Sequence, residues 1–284
     1  MEGAPGPVYR IYRIVLPYLS SEKAHIGLLY NLCKSSCEET GGGEGVEMIA
    51  NNIADSTRFP KRVKPGEQVY YYHKILHLAS KVPAFIRLLA PKGSLEVHQK
   101  TWDTFPVIRS EYSNPDYMKD GFIFIRHTIF QDNDKASMAD SVFDNISVIG
   151  EDKIKQAAIV DIDIVNDPVS SADYSEETDP TKVRLEKINC GPLTSDWKEK
   201  ETKFMTLYLF EEIEFKWWGL QTKVQSVMIK ANHRIHRNFY RKMFCNLDEW
   251  YDMTIEQIRE LEDKTKEELQ KMLRSGDVRG MVEK

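Results

Sequence analysis

The sequence predicts an α+β fold, a largely antiparallel sheet with long helices packed on it. Three observations carry this reading. Seven strand-like runs are separated by turn residues, the periodicity becomes helical after Trp217, and no internal repeat or linker divides the 284 residues into separate units. One domain spanning 1–284 is therefore expected.

The run 8–17 alternates as a strand and stops at Pro17, and Ser20 or Ser21 can then cap a helix carrying Ile26, Leu29, Tyr30, Cys33 and Cys37 at helical spacing. Gly41, Gly42, Gly43 and Gly45 follow. A helix precedes this cluster and a strand at 46–50 comes after it, the reverse of a phosphate-binding loop, so it reads as a turn into the sheet. Further strands are expected at 68–79, 95–104, 122–130, 157–164 and 204–215, with polar or acidic loops at 131–152 and 173–179. Leu220, Val224, Val227, Met228, Ala231, Ile235, Phe239 and Met243 then mark one face of a long helix. A last helix opens with a capping box, Thr254 to Gln257, where Met253 can staple onto Ile258.

Two charged residues sit on faces that otherwise read as apolar. Alternation places Lys74 with Tyr70, Tyr72, Leu76 and Leu78. An interior ammonium there needs a carboxylate, a phosphate or a polar cavity; an edge-strand lysine that discourages aggregation reads equally well. On the last helix Glu262 falls about 40° from Ile258, inside the arc of Leu261, Thr265, Leu269 and Leu273. A structural ion pair and a polar cavity both account for it.

The net charge of −5 conceals two unlike parts. From 215 to 247 there are seven Lys or Arg and no acid, a +7 window, which leaves −12 for the rest. The total argues against a general nucleic-acid binder. The basic helix begins at Trp217 and Trp218, whose side chains diverge by about 100°, so both are not expected in one core; tryptophan beside lysine suits a membrane interface. The segment 82–91 joins prolines to apolar residues around a single charge and reads as a contact loop. Four scattered cysteines fit reduced thiols, no segment reaches the length of a membrane span, and no leader precedes the first strand, so a cytoplasmic protein is expected. Motifs for a catalytic nucleophile, a zinc protease or a nucleotide are missing, and the seven histidines read as structural, so an enzyme is not expected.

Several stretches together resemble the phosphatidylinositol transfer proteins, in particular their single-domain soluble class. They are 39–47, His73-Lys74-Ile75, 80–83 through Ala90-Pro91, Gly191-Pro192-Leu193 with Trp197, and 215–221. The resemblance implies a helix-grip fold around one lipid cavity, with a phospholipid as cargo, no other cofactor, a monomer, transient peripheral membrane contact and a lipid kinase as partner. It implies exchange of phosphatidylinositol and phosphatidylcholine between membranes; a lipid-gated sensor that presents its lipid without bulk transfer is the alternative. By the same resemblance Val82, Pro83, Phe85, Ile86, Leu88 and Leu89 belong to a lipid-exchange loop, and Trp217 and Trp218 to membrane docking. Lys74 and Glu262 match inositol contacts, Ser110 and Thr128 match threonines near the phosphate, residues 275–284 match a tail that closes the cavity, and residues 1–7 are expected to be disordered.

The chain departs from that family pattern at informative positions. Tyr72 replaces a threonine and Asp103 an asparagine, both inositol contacts, which leaves phosphatidylinositol and phosphatidylcholine both open as cargo. Leu28 and Leu209 stand where a glutamine and a lysine of the phosphate environment are expected, and Leu185 stands at a regulatory serine position.

Overall fold

The structure, a computed structural model, describes residues 6–54, 68–91, 93–133, 140–143, 149–201, 203–217 and 219–280. Of the N-terminal stretch expected to be disordered, residues 1–5 lie outside that range, as do Trp218 and the last four residues of the tail.

In chain order the elements are β1 (Val8–Pro17), α1 (Ser21–Glu38), β2 (Gly45–Ala54), β3 (Val69–His77), α2 (Ala84–Leu89), β4 (Glu96–Thr104), β5 (Val107–Ser113) and β6 (Phe122–Asn133). There follow α3 (Glu151–Gln156), β7 (Ala158–Ile162), α4 (Trp197–Lys200), β8 (Phe204–Phe215), α5 (Gln221–Cys245), α6 (Leu247–Trp250) and α7 (Ile255–Leu273). The strands form one curved, unclosed sheet in the order β2-β3-β4-β5-β6-β8-β1-β7. Every pairing is antiparallel except that of edge strand β7, which runs parallel to β1.

The seven expected strands all form, and β5 is an eighth that the sequence does not announce, because Arg109, Ser110 and Glu111 interrupt its apolar residues. The polar span after residue 130 begins not as a loop but as three more residues of β6, paired with the first residues of β8. Helix α1 is capped as expected: the Ser20 hydroxyl accepts from the Lys23 backbone N–H. Both halves of the capping box at Thr254 and Gln257 are made.

The main core lies where β1 and β8 meet α1, α5 and α6, around Tyr12, Ile14, Leu16, Leu207, Phe244 and Trp250. Gly27 lets α1 approach α6 closely, since a Cβ there would lie 2.6 Å from the Trp250 ring. Helix α7 packs on α1 and β2 and so brings its buried Glu262 over the free end of the sheet.

Helix α5 departs from the expected apolar face. It buries Val224 and Met243, but between them also Gln225, Asn232, His236, Arg237 and Arg241, while Ile235 is 45% exposed. The cause lies beneath it: Glu211 on β8 is fully buried and needs donors, which Asn232 and His236 supply at 2.8 and 2.9 Å.

The +7 stretch is likewise not a free basic face. Arg234 and Arg237 pair with Asp173, Arg241 with Asp179, Lys242 with Glu38 and Lys216 with Glu214. The acidic segment read as a loop is thus the electrostatic partner of the basic helix. Among the described residues, no helix is long and apolar enough to cross a membrane.

Candidate functional site

The inner face of the sheet and helices α1, α5 and α7 enclose a cavity of about 190 Å³. Leu28, Leu29, Leu32 and Cys33 of α1 and Ile235, Phe239 and Tyr240 of α5 make much of its wall apolar. Tyr72, Lys74, Asp103, Ser110, Thr128 and Glu262, the six residues expected at a lipid headgroup, all line this one cavity. Leu28 and Leu209 line it too.

At one end of the cavity the polar side chains bind one another. The Tyr72 hydroxyl donates to Glu262 Oε1 at 2.9 Å and accepts from Arg259 Nη1. Arg259 also pairs with Glu262 at 2.9 Å and lies 3.6 Å from Asp103, whose Oδ2 is 2.8 Å from His25 Nε2. The guanidinium stacks over the Tyr70 ring with its carbon 3.5 Å from the centroid. The spacing of Arg259 and Glu262, three residues on one helix, makes their pairing local. The burial of Glu262 thus has the answer of a structural ion pair and of a cavity at once.

Burial pushes the Glu262 carboxyl above its ordinary value despite Arg259, Tyr72 and Lys74. Burial pushes the Lys74 ammonium the other way, below its ordinary value, against the pull of Cys33 and Glu262. Among the described residues no hydrogen bond or ion pair joins Lys74 to a neighbour, so its ammonium is directed to the cavity rather than to a sheet edge. Among the described residues, Asp103 Oδ1 and Arg259 Nε are buried with no hydrogen-bond partner, two polar atoms left over by an otherwise crowded cluster.

Further along the sheet a second polar group centres on Arg126, which pairs with Glu211 at 2.7 Å. Burial alone would raise the Glu211 carboxyl, but Arg126, His236 and Asn232 outweigh it and hold the group at about 2. Burial and the Arg126 charge push the His236 imidazole below its ordinary value.

Arg259, His25, Arg126 and Glu211 were not singled out from the sequence. Two of them carried a signal. Period-two alternation along β8 places Glu211 with Met205, Leu207, Leu209 and Ile213, and the same period along β6 places Arg126 with Phe124 and Thr128. His236 and His25, read as structural, hold the buried carboxylates of Glu211 and Asp103, and His236 also lines the cavity.

The apolar segment after residue 82 forms the short helix α2. Its Ile86 is buried, while Leu88 is 84% and Leu89 53% exposed. Lys223 near the start of α5 lies 3.9 Å over the Phe85 ring, so α2 and the first turn of α5 meet. Trp217 is half-buried against Phe215 and Tyr117.

Residues 275–280 lie across the glycine turn and the approach to α2. The Gly42 N–H donates to the Ser275 carbonyl at 3.2 Å, and a Cβ on Gly41 would sit 2.5 Å from the Asp277 carbonyl. Lys81 donates both to Glu39, at 3.0 Å, and to the Arg279 carbonyl. The glycine cluster therefore seats the tail as well as turning the chain into β2.

A family model described as Phosphatidylinositol transfer protein matches residues 8–267. The human phosphatidylinositol transfer protein beta isoform is 40% identical over 275 residues, which cover 95% of this chain and 96% of that protein. Phosphatidylinositol transfer protein 1 of Dictyostelium discoideum is 37% identical over 280 residues, 97% of this chain and 99% of that protein. Protein retinal degeneration B of Drosophila melanogaster is 32% identical over 282 residues, 94% of this chain but 21% of its own length.

Proposed function

The chain belongs to the phosphatidylinositol transfer protein family, and from that premise we propose that it carries one phospholipid, phosphatidylinositol or phosphatidylcholine, between membranes. The observation that carries this reading is a cavity apolar along its helices and polar along its sheet. Each buried CH₂ contributes ~0.8 kcal/mol, so two ~16-carbon chains hold a lipid in its bilayer by more than ~20 kcal/mol. A surface headgroup receptor cannot offset that; an enclosing apolar wall can.

At about 190 Å³ the cavity is narrower than the ~300–1,000 Å³ typical of small-ligand pockets, and a diacyl lipid requires its walls to part. In this reading the segment through α2 provides the opening, with the exposed Leu88 and Leu89 entering the bilayer and Trp217 docking at its surface. Lys74, Glu262, Tyr72, Asp103, Ser110 and Thr128 would surround the headgroup. Contact with membranes is then transient and peripheral, made by a cytoplasmic monomer, and a lipid kinase is the natural consumer of delivered phosphatidylinositol. A role in catalysis is not part of the reading, since the related proteins are named for transfer.

Movement of labelled phosphatidylinositol and phosphatidylcholine from donor to acceptor vesicles tests it. Protein-dependent transfer of at least one is expected, and transfer of neither would sink the reading. Family membership does not favour a sensor that holds lipid without exchanging it.

A further inference from the structure

A row of polar residues crosses the inner face of the sheet. Strand register sets Tyr72 opposite Thr101, Thr101 opposite Ser110, Ser110 opposite Arg126 and Arg126 opposite Glu211. With strands ~4.8 Å apart, Arg126 stands about 14 Å along the row from Tyr72. The first four members line the cavity, and Glu211 lies hidden under α5.

Arg126 is held rigidly and yet is not used up. Nε donates to Glu211 at 2.7 Å, Nη2 lies 2.7 Å from the same oxygen, and Nη1 reaches the Tyr112 hydroxyl only at 3.3 Å. A guanidinium has five N–H groups, so two remain for the cavity. The Phe124 and Tyr112 rings lie 5.2 and 5.7 Å from its carbon and fix its plane. Glu211 meanwhile receives Asn232 and His236 as well, so its charge is shared among three donors rather than spent on Arg126. Next along the row from Arg126 come Ser110, opposite it, and Thr101, whose hydroxyl is 2.8 Å from that of Ser110, while Thr128 lies two residues along β6 on the same face.

The other cavity cation is less suited to an anion. Lys74 lies in the field of Glu262, within the cluster that also contains Asp103, whereas a guanidinium stays charged when buried and offers two parallel donors to two oxygens.

Resting on the transfer reading, we infer that Arg126 holds the phosphodiester of the carried lipid, with Ser110, Thr101 and Thr128 as neutral partners. The headgroup substituent then extends along the row towards Tyr72. Arg126 thus supplies the cation for the phosphate in a cavity where position 209, opposite Thr128, is leucine.

The test uses the full chain and three proteins: the unaltered one, Arg126→Lys, and Arg126→Gln combined with Glu211→Gln, which removes both charges and keeps the Asn232 and His236 contacts. Capture of phosphatidylcholine and of diacylglycerol from vesicles is measured by mass spectrometry, folding by circular dichroism, and the bound phosphate by its ³¹P resonance. The double variant is expected to fold and to lose roughly tenfold to hundredfold in phosphatidylcholine capture with diacylglycerol unchanged. Arg126→Lys, which retains the ion pair, is expected to move the ³¹P resonance even if the double variant fails to fold.

Millimolar inorganic phosphate is expected to leave the melting temperature unchanged; stabilisation equal to that by lipid would overturn the lipid as the source of the anion. Unaltered capture by the folded double variant, or an unmoved ³¹P resonance in Arg126→Lys, would overturn the role of Arg126 alone. Absence of phospholipid from the unaltered protein would overturn the transfer reading and this inference with it.

Discussion

Tyr72 and Glu262 are 190 positions apart in the chain and share a hydrogen bond of 2.9 Å in the cavity wall. The bond ties the free end of the sheet to α7, and Arg259 joins both partners.

Tyr72→Phe removes the hydroxyl that donates to Glu262 and accepts from Arg259, and leaves Arg259 to hold Glu262. A loss of about 1 kcal/mol in denaturant unfolding is expected. Tyr72→Thr with Asp103→Asn removes both the ring and the extra carboxylate, which leaves Glu262 paired with Arg259 and opens space beside it for a polyol. The share of phosphatidylinositol in captured lipid, read by mass spectrometry from mixed vesicles, is expected to rise severalfold; an unchanged share would refute the role of these two residues in headgroup choice.

Acid should weaken the fold through carboxylates held at low values. Glu211 and Asp163 both sit at about 2, Glu211 through Arg126, His236 and Asn232 against its burial, and Asp163 through Lys198 and backbone N–H groups against its own. A group depressed in the folded state stabilises above its unfolded value, so this contribution is complete above about pH 4.5 and is lost as pH falls towards 2. For Glu211 it amounts to roughly 3 kcal/mol. Urea unfolding across that range should show the loss, and Glu211→Gln should flatten it.

Asp173→Asn withdraws the partner of Arg234 and Arg237. A cost of ~1–3 kcal/mol is expected because Arg237 is buried. Sedimentation with anionic vesicles should increase at low salt as the helix recovers its positive field, and the increase should fade at high salt.

Leu88→Asp places a charge at an 84% exposed position. Stability should change by less than about 0.5 kcal/mol. Vesicle transfer is expected to fall at least tenfold while the lipid already carried stays bound; normal transfer would remove α2 from the gate.

The parts of the site most legible in the sequence were those where one charged residue broke a clear period. Lys74 in a tyrosine-rich strand and Glu262 in an apolar arc both proved to face the cavity. Tyr72 and Asp103 became informative through family likeness, and their joint contact with Arg259 did not, because a lone arginine on an amphipathic helix looks solvated. The basic helix misled for a related reason: its countercharges, Asp173 and Asp179, lie tens of residues upstream, and nothing local records that they fold back on it. β5 escaped because residues that serve the cavity, Ser110 above all, dilute the pattern of a strand.

Lys81 joins three segments at one ammonium: it sits just ahead of the apolar α2, and it grasps both Glu39 at the end of α1 and the Arg279 carbonyl of the tail. The approach to the apolar helix, the end of α1 and the tail thus share one ammonium, so a change at position 81 reaches all three at once.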